Sequence, residues 1–252
     1  VGDTIIDTHT DTSMIGGQTK TPTISVRYEA KRNYVGGAGI VAKHLKAAGA
    51  NVTFTTVLGD DLLGRFALED LTSFGVKVRA ITDATRPTTE KNAIICNNYR
   101  LLKIDTLDNK PVSDAIQSKI VDNISSVPAD CVVFSDFRHG IFNGMSIGAL
   151  SAAIPERVYR VADSQVASRW GNITDFQGFD LITPNEREAR FALGDQDSVI
   201  RPLALRLLNA AKCKNLILKL GERGVMAYRR DNDGESGLHS FFVLDSFASN
   251  IV

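Results

Sequence analysis

Val35-Gly36-Gly37-Ala38-Gly39-Ile40-Val41-Ala42 and Gly59-Asp60-Asp61-Leu62-Leu63-Gly64 bracket the stretch that decides the fold. A glycine pair at the opening of a helix leaves bare backbone where another group can approach closely. The helical pattern Ala42 to Ala48 leads through Gly49 into the apolar strand Val52–Leu58, which ends on the Gly-Asp-Asp turn. The same alternation continues outward. Apolar runs at Cys131–Ser135, Arg157–Ala162, Leu181–Thr183 and Leu216–Leu220 read as strands. Leu62–Phe74, Ser113–Ser126, Ser146–Ile154, Glu186–Leu193 and Pro202–Ala211 have helical spacing. Such βα alternation predicts an α/β fold with a mainly parallel sheet covered by helices. Burial on both faces explains continuous runs such as Cys131-Val132-Val133-Phe134.

Two segments break the rhythm. Thr8 to Tyr34 is polar, with strand-like alternation over Thr23–Tyr28, and Lys91 to Asp105 alternates as well. Neither has a helical period, so both are expected in a small, half-exposed sheet of their own. Asp231–Gly237 reads as a polar hairpin loop.

Bulk composition excludes several classes. The 252 residues fit one large domain, or one with a small appendage. Twenty-nine basic residues balance 29 acidic ones, so nothing global attracts nucleic acid or an anionic membrane. Cys96, Cys131 and Cys213 form no close pair, which argues against a disulfide framework or a zinc site and for a reducing, cytoplasmic setting. No apolar run has the length of a membrane span. The chain opens Val-Gly-Asp without Met and reads as an excerpt of a longer polypeptide. No Walker A sequence, His-Glu-x-x-His or Gly-x-Ser-x-Gly elbow is present.

Taken with the glycine pair and the Gly-Asp-Asp turn, the sequence resembles the ribokinase/PfkB family of carbohydrate kinases, and within it the kinases of heptose 7-phosphate. The stretch most like the latter is Arg86-Pro87-Thr88-Thr89-Glu90-Lys91 with Asn97-Asn98-Tyr99-Arg100-Leu101-Leu102-Lys103-Ile104-Asp105. The resemblance implies a ribokinase-like three-layer sandwich over residues 1–252, cut at both ends. It also implies a β lid at about residues 8–35 and 88–106. ATP and Mg²⁺ are implied as cofactors, a small sugar or sugar phosphate as substrate, a homodimer through the lid, and a fused nucleotidyltransferase domain as a further possibility.

The candidate residues each carry two readings. Asp7 follows what reads as the end of a first strand, where a carboxylate can accept two hydroxyls or form a turn. The resemblance makes it a sugar contact, with Gly36 and Gly37 beside it. Family members carry Asn three or four residues after the second glycine, where this chain has Ile40 and Val41, which puts the particular sugar in question. Asn98 and Lys103, in the basic stretch, would hold a substrate phosphate or else shield a sheet edge. Asp136 and Arg138 follow the strand Cys131–Phe134; the resemblance places Asp136 near the sugar or Mg²⁺-bound water and Arg138 near the transferring phosphate. His139 reads as structural.

Thr183-Pro184-Asn185-Glu186-Arg187-Glu188 is a complete helix-start signal, Asn185 as cap and Glu188 reaching back. It also matches the family's Thr-Pro-Asn-x-x-Glu motif, which implies nucleotide phosphates near Asn185 and Mg²⁺ held through water by Glu188. Lys219-Leu220-Gly221-Glu222-Arg223-Gly224 is a tight turn between strands; the resemblance sets ATP against Lys219, Gly221 and Gly224. The family's base lies in a Gly-Ala-Gly-Asp loop that these residues do not supply, so it is expected beyond Val252 and no catalytic residue is named. Rival readings are a non-catalytic sugar- or nucleotide-binding module of a bifunctional protein and a fructokinase- or nucleoside-kinase-like enzyme.

Overall fold

The computed structural model describes residues 1–15, 23–165, 172–230 and 240–247; the loop expected at Asp231–Gly237 lies outside them. The chain divides into two compact units, Asp3–Lys110 and Val1–Gly2 with Pro111–Val252.

In the first unit β1 (Thr4–Met14) and β2 (Val26–Gly37) form a long antiparallel pair, followed by α1 (Ala38–Ala47), β3 (Thr53–Leu58), α2 (Leu62–Ser73), β4 (Lys77–Thr82), β5 (Glu90–Cys96) and β6 (Tyr99–Thr106). The strands β2-β1-β5-β6 make one sheet in that order. Within the described residues, both rhythm-breaking segments therefore contribute strands to a separate sheet, as expected, with residues 16–22 of the first lying outside the described residues. The Gly2–Asp7 stretch is a correction. It does not end a strand at Asp7; β1 runs on for seven more residues, so Asp7 sits in mid-strand. The reason is chemical. Thr8, Thr10 and Thr12 are β-branched, and their hydroxyls donate across the sheet, Thr8 to Asn33 and Glu90, Thr10 to Asn92, Thr12 to the Ile95 carbonyl. The other strand-like stretch also moves: Thr23, Ile24 and Ser25 precede β2, which begins only at Val26.

The strand expected at Val52–Leu58 is β3, and among the described residues it pairs in parallel only with β4, an element the periodicity missed. Asp61 caps α2 by accepting from the Gly64 amide at 2.7 Å. Ile6, Val35, Ala38, Phe54, Leu58, Ala67 and Leu71 make this unit's core.

The second unit comprises α3 (Asp114–Ser126), β7 (Cys131–Asp136), α4 (Ser146–Ala152), β8 (Tyr159–Ser164), β9 (Leu181–Ile182), α5 (Glu186–Leu193), α6 (Ile200–Ala211), β10 (Asn215–Lys219), β11 (Val225–Arg229) and β12 (Ser240–Leu244). β7, β8, β9 and β10 run parallel; β11 and β12 add antiparallel to the end of the sheet. Leu203, Leu207 and Ala211 lie at four-residue spacing on the buried face of α6. Phe134 packs against Phe142, Phe176 and Phe179, with ring centroids 5.1, 6.2 and 5.7 Å away.

Candidate functional site

The first unit builds a charged row on one face of its sheet. Register sets Asp7 opposite Lys91, and Lys91 opposite Asp105. Lys103 reaches Asp105 at 3.5 Å. The Asp7 carboxylate lies over Gly36, where a Cβ would come within 2.1 Å of Oδ2, so only glycine leaves room for it. Among the described residues that carboxylate has no hydrogen-bond partner. Burial pushes its pKa up; the charges of Lys91, Lys103 and His9 pull the other way, and Asp105 adds to the rise. Lys91 is half-buried, and burial, with Lys103, pulls its pKa down. Gly37, at φ 58°, caps α1, and a Cβ there would lie 2.6 Å from the Asp3 carbonyl.

The remaining motifs of this unit have structural duties. Asp61 accepts from the Thr88 amide at 2.7 Å while the Thr88 hydroxyl accepts from the Gly59 amide at 2.9 Å. Burial opposes the Asp61 charge, but the amides of Thr88 and Gly64 outweigh it and hold the carboxyl below its ordinary range. Arg86 donates to Asp83 at 2.8 Å and to the Lys110 carbonyl at 3.1 Å. Asn97 and Asn98 both take positive φ, 51° and 64°, forming the two-residue turn between β5 and β6. The turn is not brought beside Asp7. Register separates Lys91 from Cys96, just before the turn, by five strand residues, roughly 17 Å.

In the second unit, Asp136 and Arg138 are spent on each other. Asp136 has no exposed surface; it accepts from the Arg138 amide at 2.8 Å and the Ser164 hydroxyl at 2.7 Å, and pairs with Arg138 Nε at 2.8 Å. Arg138 also binds Asp175 at 2.7 Å and is itself 7% exposed, at φ 57°. The pair fixes the loop after β7 rather than opening towards a ligand. His139 is buried, in keeping with a structural role.

A second cluster forms where β8, β9 and β10 end. The Asn185 side chain accepts from the Glu188 amide at 2.8 Å, and Glu188 accepts from the Asn185 amide and side chain, each at 2.7 Å. The Lys219 amide donates to the Pro184 carbonyl, which ties the turn after β10 to this cap. Asp163, at the end of β8, was not singled out from sequence. Its Oδ1 accepts from Lys219 Nζ at 2.9 Å and from the Thr183 hydroxyl at 3.0 Å. The rule that strand carboxyl ends carry sites applies to it as it does to Asp136. Burial raises the Glu188 pKa; its bonds to Asn185 and the Lys219 charge oppose the rise, and the Asp163 charge adds to it. Gly221, at φ 63°, faces open space, whereas a Cβ on Gly224 would strike the Leu244 carbonyl at 2.0 Å. Gly221 thus leaves bare backbone uncovered, and Gly224 makes room for β12.

The model of the pfkB family carbohydrate kinases matches residues 1–248. The chain belongs to this family. It is 29% identical over 204 residues to the bifunctional protein HldE of Pelobacter propionicus, covering 78% of this chain and 41% of that one. It is 28% identical over 233 residues to HldE of Helicobacter hepaticus, covering 89% and 47%. The chain thus spans about half the length of the curated relatives it matches. Among solved structures, phosphofructokinase-2 from Escherichia coli in complex with fructose-6-phosphate superposes with a TM-score of 0.74 at 17% identity, over 96% of this chain and 77% of that one. A structure described as Sa239 gives 0.72 at 19% identity, over 99% and 78%. These likenesses show the ribokinase-like fold.

The carboxylates at the end of β8 and in the first turn of α5 suit a hard divalent cation. Glu188 and Asp163 offer carboxylate oxygens, and the described residues contain no group of three or more His, Cys, Asp or Glu able to form an all-protein cage. Mg²⁺ is typically held this way, by one or two carboxylates, its own waters and substrate phosphates.

Proposed function

We propose that the chain phosphorylates a sugar or sugar phosphate of the heptose 7-phosphate type, with ATP as donor. The observation that carries this reading is the Asp7 carboxylate, half-buried over Gly36, flanked by Lys91 and Lys103 and without a hydrogen-bond partner among the described residues. A buried acceptor left open in this way suits a ligand that brings hydroxyl donors. Two lysines beside it suit an anionic substituent on that ligand. Similarity to the bifunctional HldE proteins supports the heptose reading.

Nucleotide binding is assigned to the second unit. Lys219 supplies a cation for phosphate, Gly221 an open backbone turn, and Asn185 the cap beside them. Mg²⁺, held through water by Glu188, would offset the phosphate charge during transfer. The chain's own residues bind and orient; no residue of this chain is assigned as the base. A fused nucleotidyltransferase domain in the whole protein accords with the length of the relatives. A homodimer through the lid is supported by Tyr28, Leu102 and Ile104, which are exposed on the threonine face of the four-stranded sheet. Among the described residues no helix is long and apolar enough to cross a membrane, and a cytoplasmic setting fits the free cysteines.

The test is an ADP-release assay on the full-length protein with free and phosphorylated sugars, paired with calorimetric binding of each. Sugar-dependent ADP release that is lost in Asp7→Ala supports the kinase. Binding of sugar and nucleotide without release would identify a binding module instead. Failure of every sugar to bind would overturn the reading of Asp7.

A further inference from the structure

Asp163 stands outside every motif read from the sequence, whereas its partner Lys219 opens the turn that the resemblance sets against ATP. Lys219 is a cation whose charge acts on Glu188 of the cap, yet its ammonium is engaged, 2.9 Å from Asp163 Oδ1. The same oxygen accepts from Thr183, so three strand ends converge on one carboxylate. Asp163 and Glu188 sense each other electrostatically, and both sense Lys219. These three groups sum to one net negative charge when ionised. Two other cations nearby are already committed: Arg190 and Arg223 both bind Glu186.

A bare phosphate anion approaching Lys219 must share the ammonium with a carboxylate that is already in place, whose charge repels it, and it meets the Glu188 charge as well. A phosphate carrying a divalent cation meets neither penalty. The cation can face the two carboxylates while the phosphate takes the ammonium. We propose that Asp163 is a specificity-determining residue. It withholds Lys219 from metal-free nucleotide and releases it to the metal complex. The inference rests on the nucleotide reading of this half-site.

The test measures ADP binding by calorimetry, with Mg²⁺ and with EDTA, for the unmodified chain, Asp163→Asn, Asp163→Ser, Lys219→Met and the Asp163→Asn/Lys219→Met double variant. Asparagine keeps a carbonyl oxygen at the reach of the Thr183 hydroxyl, whereas the serine oxygen is one bond shorter, so agreement between the two separates charge from local packing. The unmodified chain should prefer Mg–ADP. Both Asp163 variants should bind metal-free ADP more tightly and Mg–ADP less tightly. Their preference for the metal complex should fall on the order of tenfold, as removal of one unit charge beside a partly exposed phosphate requires. The gain for metal-free ADP should shrink in the Lys219→Met background, because the freed ammonium makes part of it. An unchanged preference in variants that melt normally would overturn the role of Asp163 and leave the nucleotide reading standing. Absence of binding by the unmodified chain in either condition would overturn that reading, and this proposal with it.

Discussion

Asp7 is held against its own charge. Its carboxyl titrates above the ordinary value because it is buried, and Lys91, Lys103 and His9 do not fully compensate. The folded chain therefore holds this proton more tightly than the unfolded chain. Stability falls as pH rises between the unfolded and folded values, and at pH 7 the ionised Asp7 is a net cost. Asp7→Asn should raise the melting temperature at pH 7. The gain should fade as pH drops through the folded value and be gone below the unfolded value near pH ~3.9. Calorimetry from pH 3 to 8 reads this directly; a gain that persists at pH 3 would contradict it. The same carboxylate should matter to the ligand. Asp7→Ala should weaken sugar binding by about 1.5–3 kcal/mol, the worth of a charged hydrogen bond, with ADP affinity unchanged. A residue that lowers stability but raises affinity has the signature of a binding group.

At the scale of elements, a residue can serve the backbone and a ligand together, and substitutions can part the two roles. Asn185 and Glu188 form a complete capping box on α5. Asn185→Ala should cost roughly 0.5–2 kcal/mol as a lost cap. Glu188→Gln retains an acceptor for the Asn185 amide and removes a charge that burial disfavours. Its melting temperature at pH 7 should hold or rise, while the Mg²⁺ concentration needed for half-maximal turnover increases. A fall in stability with unchanged Mg²⁺ dependence would make Glu188 a cap alone. The β5–β6 turn permits a similar separation. Asn98 at φ 64° is in the left-handed region, where alanine is disfavoured by about 1–2 kcal/mol and glycine is not. Asn98→Gly should keep the turn, and Asn98→Ala should destabilise it. If Asn98→Gly also leaves sugar affinity unchanged, the residue belongs to the turn and not to the substrate. These elements also show what sequence reading can reach. The Thr-Pro-Asn-x-x-Glu signal is local, so α5 was legible to the residue. Lys77–Thr82 was not, because its charged and apolar residues alternate over only six positions and its pairing with β3 is parallel and non-local. Asp163 was illegible for a related reason: its partners are 20 and 56 residues away.

At the scale of the molecule, each candidate half-site is assembled inside one compact unit. Asp7, Gly36, Lys91 and Lys103 lie within Asp3–Lys110; Asp163, Asn185, Glu188, Lys219 and Gly221 lie within the second unit. The order of the motifs was readable from the sequence, since turns, caps and apolar runs are short-range signals. Their grouping was not. The Ser135-Asp136-Phe137-Arg138 stretch matched a site motif, yet its charges close on each other inside the second unit, and only burial reveals that. A division of labour between units has a measurable consequence. Asp7→Ala should change sugar affinity alone, and Lys219→Met nucleotide affinity alone. Each variant titrated with one ligand at a time should show no crossover. The double variant should show the sum of the two losses, because groups without shared partners contribute additively within about 0.3–0.5 kcal/mol. Calorimetry of four chains against two ligands settles it. If Lys219→Met weakens sugar binding in the absence of nucleotide, the lysine serves the sugar, and the assignment of one ligand to each unit fails.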